Sequence, residues 1–289
     1  MIRSLFFVPA NRRELIAKLP RIDADCSVLD LEDGIPPNDK ERARAELPDA
    51  VASLRAQGLK GRLVVRVNEP ASQQFLPDLD AVFASGADGV VIPKTETCEQ
   101  LAQALQRMDR GGPVGRPTSV IAGIETMHGV LNAARLCAMD KRVDTVYFGA
   151  EDFIADIGGV RTERGDEVLY ARSQVVLAAR AAGATAIDQA VADVRNDALF
   201  LEDARHGRAL GYNGKICVLP RQLALCHEAF SPSARDIDHA RRMLAAYAEA
   251  ASRNIGTIEF EGKLIDGPML KRAQGVVADA ARFGLWETA

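Results

Sequence analysis

The sequence predicts a (β/α)8 TIM barrel, and three features support this fold class. Eight short apolar segments alternate with longer stretches of helical periodicity through residues 1–222. The short segments are apolar throughout, which is typical of a parallel sheet covered by helices on both faces. A doubly wound open sheet is the competing architecture, but no G-x-G-x-x-G motif follows the first segment. We therefore predict a barrel.

Compact apolar runs, several of them rich in β-branched residues, define the strands. The eight predicted strands, in order, are Ser4–Pro9, Ser27–Glu32, Leu63–Asn68, Gly89–Lys94, Ser119–Glu125, Thr145–Glu151, Ala184–Asp188 and Lys215–Leu219. Longer stretches with apolar residues at helical spacing lie between them. The predicted helices include Asn38–Gln57, Cys98–Met108, Gly129–Met139 and Glu167–Ala182.

The pattern changes after Pro220. Residues 232–254 predict one long helix, residues 256–265 a short hairpin and residues 268–281 a final helix. We assign residues 1–222 to the catalytic barrel and residues 223–289 to this C-terminal extension. Because the extension is too small for an independent domain, we expect it to pack on the barrel or on a neighbouring subunit's barrel.

Composition excludes several classes of function. The net charge is −4, from 36 basic and 40 acidic residues, so no overall positive field would attract nucleic acid. The five cysteines are scattered and odd in number, which argues against a disulfide framework or a zinc finger. No apolar run approaches the roughly 20 residues that span a bilayer, and the N-terminus lacks the pattern of a secretory signal. We expect a cytoplasmic protein that binds no membrane.

Charged residues collect where the predicted strands end. They are Asp30, Glu32 and Asp33 at the end of the second strand, Arg66 at the end of the third, Lys94 at the end of the fourth, Glu125 at the end of the fifth, and Glu151 and Asp152 at the end of the sixth. The carboxyl ends of barrel strands converge on one mouth, where such enzymes form their active sites. Helix caps and structural ion pairs are the alternative explanation, but these would not explain why the charges follow the apolar runs rather than precede them. We predict a functional site at this mouth.

Two of these acids are the best candidates for metal ligands. Glu125 and Asp152 each follow an apolar run and adjoin small residues, and their carboxylates suit a hard divalent cation such as Mg2+ or Mn2+. Pairing with Arg66 or Lys94 is the structural alternative. Arg66 itself is a fixed cation suited to a substrate carboxylate.

Neighbouring residues have weaker assignments. Of Glu32 and Asp33, one carboxylate would cap the following loop and the other would reach the metal through water. We expect His128, just after Glu125, to be an exposed cap at a helix start. Because none of the four histidines is a convincing base, proton transfer falls to a carboxylate.

Seven segments, taken in order, resemble one known family. They are R-S-L-F-F-V-P-A-N, S-V-L-D-L-E-D-G, V-V-R-V-N, G-A-D-G-V-V-I-P-K, I-E-T-x-x-G-V-L-N-A, G-A-E-D-F and Y-A-R-S-Q-V-V-L-A-A-R-A-A-G. Each is weak alone, but the ordered set, from residue 3 to about residue 270 with the C-terminal segment, is similar to the citrate lyase β-subunit-like (CitE-like) proteins. These belong to the HpcH/HpaI aldolase superfamily with the malyl-CoA and citramalyl-CoA lyases.

The resemblance implies a homotrimeric barrel enzyme. It implies Mg2+ held by Glu125 and Asp152, and a keto-acid carboxylate bound by Arg66. Glu32 and Asp33 would support the water shell of the metal, and Lys94 would join the substrate-binding residues. The substrates implied are a small keto acid and an acyl-CoA.

Two further roles come from the same resemblance. The segment E-G-K-L-I-D-G-P at 261–268 is similar to the family's C-terminal motif, which places an aspartate, here Asp266, over an adjacent subunit's active site as acid/base. Capping of the final helix is the alternative for Asp266. Arg3, Arg12 and Lys18 would lie where relatives bind coenzyme A phosphates, although surface solvation suits Arg12 and Lys18 equally well.

The chain departs from its relatives in two places. Asn213 and Leu219 stand where many relatives have an aspartate and a histidine, and residues 189–192 lack a more aromatic pattern. We expect both departures to lie near the barrel mouth, so the acyl specificity of relatives should not be transferred to this chain.

The combined expectation is a Mg2+-dependent carbon–carbon lyase. It would cleave a β-hydroxyacyl-CoA thioester to a 2-keto acid and acetyl-CoA or a homologue, or form it by Claisen-type condensation. Malate-synthase-like condensation with thioester hydrolysis is one alternative, and an acyl-carrier-dependent citrate lyase β subunit is another. A catalytically silent scaffold or regulator is the non-enzymatic alternative.

Overall fold

The computed structural model describes residues 2–110 and 119–286. The chain forms two compact units, Met1–Cys226 and His227–Ala289. The predicted boundary after residue 222 lies close to this division. The expectation that the second unit packs on its own barrel or on that of a neighbouring subunit remains a prediction.

Eight parallel strands close into a barrel in sequential order, which confirms the predicted fold. They are β1 (Ser4–Pro9), β2 (Cys26–Asp30), β3 (Arg62–Arg66), β4 (Gly89–Ile92), β5 (Ser119–Ile124), β6 (Val143–Phe148), β7 (Thr185–Asp188) and β8 (Gly214–Cys217). Strand β8 returns to β1, with Ser4 opposite Lys215 and Phe6 opposite Cys217. Every carboxyl strand end therefore points to the same mouth.

Helices connect the strands. They are α1 (Arg13–Ile16), α2 (Lys40–Ala56), α3 (Phe75–Ser85), α4 (Cys98–Arg110), α5 (Met127–Ala138), α6 (Ala150–Ile157), α7 (Leu169–Ala182), α8 (Asp197–Leu210) and α9 (Pro220–Phe230). The four helices predicted by range are confirmed, with ends shifted by a few residues. Gly86, Gly183 and Gly211 end their helices in the left-handed conformation that glycine adopts without strain.

Side chains from every strand fill the barrel interior. The cluster contains Ile2, Leu5, Cys26, Val28, Val64, Val91, Ile121, Tyr147 and Ile187, with Phe7 and Ile216 packed against it. Burial raises the pKa of the Cys26 thiol to about 12, so this cysteine behaves as a small apolar residue. All five cysteines are free thiols, as expected.

Two local predictions at the mouth were wrong. The sixth strand ends at Phe148, and Glu151 and Asp152 lie in the first turn of α6 rather than on the strand. Acidic residues favour this position because helix N-termini carry partial positive charge. The cap of α5 is the Thr126 side chain, which accepts a hydrogen bond from Gly129 N, and His128 is exposed beside it.

The second unit contains two helices and a hairpin, as predicted. Helix α10 (Ala234–Ala251) begins with a capping box in which Ser233 and Asp236 bond each other's backbone. Strands β9 (Ile258–Phe260) and β10 (Lys263–Ile265) pair antiparallel, and α11 (Gly267–Arg282) follows. A small apolar cluster of Ala240, Met243, Ile265, Leu270 and Ala273 holds the unit together.

Within residues 2–110 and 119–286, no helix combines the length and the apolar character needed to cross a bilayer.

Candidate active site

A cavity of about 500 Å3 opens at the carboxyl ends of the barrel strands. Its walls include Arg66, Glu125 and Asp152, the three residues that sequence analysis favoured most, together with Asp33 and Tyr147. The barrel closure brings these side chains together from β2 to α6, over more than a hundred residues of sequence. The predicted clustering at one mouth is therefore present in the fold.

Glu125 is buried where β5 ends, with 2% of its surface exposed. Its Oε1 accepts hydrogen bonds from the Tyr147 hydroxyl and from the Lys94 backbone N–H, each at 2.8 Å. Burial, followed by the negative charge of Asp152, raises the pKa of Glu125. The carboxylate is thus oriented by two donors in a site where a cation would stabilise its charge.

Two glycines make room for this carboxylate and its donor. A Cβ atom at Gly149 would collide with the Glu125 side chain, and one at Gly123 would collide with the Tyr147 hydroxyl. Gly149 also precedes α6, so the backbone turns into the helix directly beside Glu125. The close approach of the two segments requires glycine at both positions.

Asp152 presents the second carboxylate from the first turn of α6. Its side chain is 37% exposed, and its Oδ1 lies 3.5 Å from Lys94 Nζ. Glu125 and Asp152 fit a divalent cation of the Mg2+ type, since Mg2+ uses one or two protein carboxylates plus water or substrate oxygens. In the parts of the chain that the structure describes, no group of three or more acidic, histidine or cysteine side chains could hold a metal ion.

Arg66 is held rigidly at the end of β3. Its Nε and Nη2 atoms donate to Asp30 Oδ1 and Oδ2 at 2.7 and 2.8 Å, a bidentate pair. Its Nη1 lies 2.9 Å from Glu32 Oε2, and the guanidinium stacks 5.0 Å from the centre of the Phe7 ring. Because the Nε edge is occupied by Asp30, a substrate carboxylate would meet the remaining Nη hydrogens.

Sequence analysis placed Asp30 at the mouth but gave it no role. Burial alone would raise the pKa of Asp30, but the hydrogen bonds and charge of Arg66, with backbone donors at Glu32 and Gly34, hold this pKa below its ordinary value. Asp30 is therefore the charged anchor of Arg66. The available sequence signal was its position at the end of the second apolar run, two residues before Glu32.

Glu32 is buried and does not line the central cavity. Its Oε1 accepts from Lys94 Nζ at 2.7 Å, and its Oε2 lies 2.9 Å from Arg66 Nη1 as an ion pair. Burial is the main reason that the pKa of Glu32 is raised to about 7, against the lowering effect of Arg66 and Lys94. Glu32 therefore lies between two cations, Arg66 and Lys94, and pairs with both.

Lys94 has an unusual backbone, with φ of +46° just after β4. Its side chain lines a second cavity of about 250 Å3 beside the first, which Asp152 also lines. Asp33 is 62% exposed, lines the central cavity and lies 3.8 Å from Lys94 Nζ. Glu32 and Lys94 thus contact cavity-lining groups but not the central cavity itself.

The structure corrects one predicted coenzyme A contact. Arg3 precedes β1, at the barrel end opposite the cavity, where its guanidinium pairs with Asp25 at 2.9 Å. An amino-terminal strand position cannot reach the mouth, so Arg3 is removed from the predicted site. Arg12 and Lys18 follow the carboxyl end of β1 and are both exposed. Neither lines the central cavity, and their contact with coenzyme A remains a prediction.

Asp266 lies in the second unit as the N-cap of α11. Its exposed carboxylate accepts a hydrogen bond from Met269 N at 3.4 Å. This is the capping role that sequence analysis gave as the alternative, and it leaves a second carboxylate oxygen for other chemistry. The acid/base role of Asp266 remains a prediction.

One predicted departure also lies elsewhere than expected. Asn213 precedes β8, so it belongs to the amino-terminal end of the barrel, where its Oδ1 accepts from Ala186 N at 3.0 Å. It therefore secures strand pairing and does not shape the cavity. Val218 and Ala190, which follow β8 and β7, do line the cavity. Leu219, the other residue of that departure, follows β8 next to Val218, and Ala190 belongs to the departure at residues 189–192, so both departures keep residues at the carboxyl ends of the strands.

Sequence analysis missed a buried ionic cluster behind the barrel wall. Arg172 on α7 pairs with Asp188 and Asp203, while Lys215 on β8 pairs with the same two carboxylates. Lys215 also donates to the Gln189 carbonyl at 2.5 Å, which fixes the backbone entering residues 189–192. The four charged residues come from four different elements, α7, β7, α8 and β8. Their spacing in the sequence therefore gives no local signal that they form a cluster.

Comparisons with known proteins identify relatives of this chain by sequence and by fold. The chain is 44% identical to the citrate lyase subunit beta-like protein of Deinococcus radiodurans over 97% of this chain and 98% of that protein. It is 33% identical to human mitochondrial citramalyl-CoA lyase, over 95% of this chain and 84% of that protein. The crystal structure of CitE from Mycobacterium tuberculosis, in complex with magnesium, acetoacetate and coenzyme A, has a TM-score of 0.80. It is 33% identical and covers 96% of this chain and 98% of its own.

The match to a family extends over most of the chain. Residues 3–220 match the HpcH/HpaI aldolase/citrate lyase family, and this range includes the whole barrel and every cavity-lining side chain described above. The ordered motifs and the barrel agree with that assignment. The chain belongs to the HpcH/HpaI aldolase/citrate lyase family.

Proposed function

We propose that this protein is a Mg2+-dependent carbon–carbon lyase acting on a coenzyme A thioester. The substrate is a β-hydroxyacyl-CoA whose hydroxyl-bearing carbon also carries a carboxylate. The products are a 2-keto acid and acetyl-CoA or a homologue, and the reverse reaction is a Claisen-type condensation. The observation that carries this proposal is the meeting of Glu125, Asp152 and Arg66 at one cavity.

Glu125 and Asp152 are the proposed metal ligands. The divalent cation, Mg2+ or Mn2+, supplies Lewis acidity that favours negative charge on the hydroxyl and carboxylate oxygens of the substrate. Tyr147 and the Lys94 backbone fix Glu125 before any ligand arrives, and Gly149 keeps the space beside it open. This preorganisation reduces the cost of reorienting the ligands during the reaction.

Arg66 binds and orients the substrate carboxylate. Two of its N–H groups are committed to Asp30, and the guanidinium is fixed further by Glu32 and Phe7. The remaining Nη hydrogens offer a positive edge to an anionic keto acid. A rigid arginine holds the scissile bond in one orientation, which is a main source of rate enhancement in such reactions.

Proton return to the thioester carbanion requires a carboxylic acid. Asp266 is the proposed acid/base, contributed by the second unit of the same or an adjacent subunit. The exposure of its carboxylate in this unit supports the assignment, because the side chain is accessible to a partner surface. A homotrimer is part of the same proposal.

The coenzyme A moiety is proposed to bind near α1. Arg12 and Lys18 are exposed cations after β1, and phosphate groups are their natural partners. The Mycobacterium tuberculosis neighbour binds magnesium, acetoacetate and coenzyme A together, which supports one site for both halves of the substrate. Small acyl-CoA and keto acid molecules are the proposed partners, and the cytoplasm is the proposed location.

Thermal unfolding with paired ligands tests the proposal. Mg2+ with pyruvate, glyoxylate or oxaloacetate, combined with an acyl-CoA, should raise the Tm because ligands bind only the folded state. Glu125→Gln and Asp152→Asn should abolish this rise. Glu151→Gln is the matched control, since Glu151 lines the same cavity on the same helical turn but pairs with Arg161.

The reaction itself should then be followed by mass spectrometry of both products. Appearance of a keto acid and an acyl-CoA in equal amounts supports the lyase. Release of free coenzyme A would indicate the malate-synthase-like reaction instead, and activity only with an acyl carrier protein would indicate a citrate lyase β subunit. Ligand binding without turnover would favour a scaffold or regulator.

A further inference from the structure

Lys94 contacts both proposed metal ligands through two different groups. Its backbone N–H donates to Glu125 Oε1 at 2.8 Å, and its Nζ lies 3.5 Å from Asp152 Oδ1. Among the charged residues described at this mouth, its ammonium is the group paired directly with Asp152. Lys94 therefore contacts both carboxylates of the pair, Glu125 through its backbone and Asp152 through its side chain.

The backbone of Lys94 is strained in order to make the first contact. Its φ of +46° is a conformation that side chains other than glycine adopt at a cost. The turn is stabilised on its far side, where Thr95 N donates to Gly123 O and Thr95 Oγ1 to Ile92 O, each at 2.9 Å. The strained turn directs the Lys94 N–H at Glu125.

The side chain of Lys94 is a fixed cation. Its Nζ donates to Glu32 Oε1 at 2.7 Å and lies 3.8 Å from Asp33 Oδ2, and only 22% of the side chain is exposed. Burial would lower its pKa, but Glu32, Asp152 and Asp33 together raise it above the ordinary value. These three carboxylates therefore favour the charged form of the ammonium.

We propose that Lys94 sets the divalent-cation affinity of the site, orienting Glu125 through its main chain and weakening cation binding through its ammonium. The inference deepens the proposed function, because it takes Glu125 and Asp152 as the metal ligands. A positive charge beside Asp152 competes with any cation that uses the same carboxylate, in a partly buried site where screening is weak. An anionic substrate offsets that charge, so metal and keto acid strengthen each other's binding.

The effect of the ammonium is separated from that of the backbone by three variants. Lys94→Met removes the charge and keeps a side chain of similar length, whereas Lys94→Arg keeps the charge. Lys60→Met removes one positive charge from an exposed position just before β3, at the opposite end of the barrel. The measurement is the Kd for Mn2+ alone, by electron paramagnetic resonance on the metal-free protein.

We expect Lys94→Met to bind Mn2+ about tenfold more tightly than the wild type, which is within the usual range for coupling between charged sites. Lys94→Arg and Lys60→Met should bind close to the wild-type value. Equal or weaker binding by Lys94→Met would overturn the proposal. So would an equal gain in Lys60→Met, because the effect would then belong to net charge.

Loss of Lys94 also leaves Glu32 buried with one cation fewer, and this alone could prevent folding. The pair Glu32→Gln and Glu32→Gln/Lys94→Met avoids this difficulty, because neither carries an uncompensated buried carboxylate at residue 32. Tighter Mn2+ binding by the double variant than by Glu32→Gln supports the proposal, and equal or weaker binding contradicts it.

The wild-type measurement keeps this inference distinct from the proposed function. If the wild type binds no Mn2+, or binds it equally in Glu125→Gln and Asp152→Asn, the carboxylate pair is not the metal site and the proposed function fails with it. If the wild type binds and those two variants do not, but the Lys94 variants leave Kd unchanged, only the role of Lys94 is refuted.

Discussion

Arg66 and Asp30 form a buried ion pair at the mouth that several hydrogen bonds hold in place. Asp30 is 3% exposed and receives four hydrogen bonds, two from Arg66 and one each from the backbone of Glu32 and Gly34. The arginine is therefore positioned by the fold before substrate binds. An account of substrate binding that names Arg66 alone would omit the residue that holds it.

Replacing Asp30 with asparagine should destabilise the protein and impair catalysis. Removing one partner of a buried ion pair typically costs about 3 kcal/mol, and the freed guanidinium would also lose its orientation. We expect a lower urea midpoint and a fall in kcat/KM for the keto-acid substrate. Glu249→Gln, which breaks the exposed pair with Arg253, is the control and should change little.

Acid should remove the same stabilisation in the wild type. The pKa of Asp30 is lower in the folded protein, so its contribution is present above the ordinary carboxyl pKa and is lost as the pH falls through the lowered value. Urea unfolding from pH 5 to pH 2 measures this loss. A profile unchanged in Asp30→Asn would show that another group dominates acid unfolding.

The contribution of Glu32 to the free energy of unfolding should depend on pH in the direction opposite to that of Asp30. Its pKa is raised from 4.5 to about 7 on folding, so its contribution is complete below about pH 4.5 and is lost as the pH rises to about 7. Glu32→Gln should therefore make the urea-unfolding free energy of the metal-free protein less dependent on pH across this window. Equal pH dependence in the two proteins would contradict the raised pKa.

At the scale of elements, the mouth depends on how β6 turns into α6. Gly149 has an extended φ of −102°, which any residue can adopt, so glycine is required there by the closeness of Glu125 and not by the backbone. Helix α6 then presents Asp152 in its first turn. A strand that ran on to Glu151, as predicted, would have carried Asp152 away from Glu125.

Gly149→Ala should therefore damage the metal site with little effect on the helix. The added methyl group displaces the Glu125 carboxylate, so the Mg2+-dependent rise in Tm should shrink or vanish. Gly256→Ala is the matched control, because a Cβ there meets nothing within 4 Å. A full metal response in Gly149→Ala would mean that the two segments separate easily.

The family assignment extends to the whole barrel, but the second unit lies outside the matched range of residues 3–220. Its hairpin and final helix bring Asp266 to an N-cap position, where the same carboxylate could cap the helix and exchange a proton. Asparagine separates these roles, because it caps a helix as well as aspartate does but holds no titratable proton.

Asp266→Asn should retain its Tm and lose most of its kcat. If the acid acts on a neighbouring subunit, mixing Asp266→Asn with the inactive Glu125→Gln variant should restore part of the activity, since some mixed sites combine two intact halves. Analytical ultracentrifugation gives the oligomeric state in the same samples. A monomer, or a mixture without activity, would place Asp266 over its own barrel or outside the reaction.

The sequence by itself determined the fold class, the order of the strands and the three residues that meet at the cavity. Apolar runs followed by charged residues are local patterns, and a parallel barrel converts each of them into a position at the mouth. The same reasoning could not place Arg3 or Asn213 correctly. Their motifs were taken to place both residues at the mouth. Each residue precedes its strand, however, and the direction of the strand puts that position at the opposite end of the barrel.

Only the tertiary structure decided which partner each charge has. Asp30 with Arg66, Glu32 with Lys94 and the buried cluster around Lys215 join residues from different elements, at distances fixed by strand register and helix packing. Electrostatic energies change steeply with distance and burial, and neither can be read from spacing along a chain. The sequence thus specified the chemical groups of the site. The closure of the barrel specified which of these groups form ion pairs and hydrogen bonds with each other and which line the same cavity.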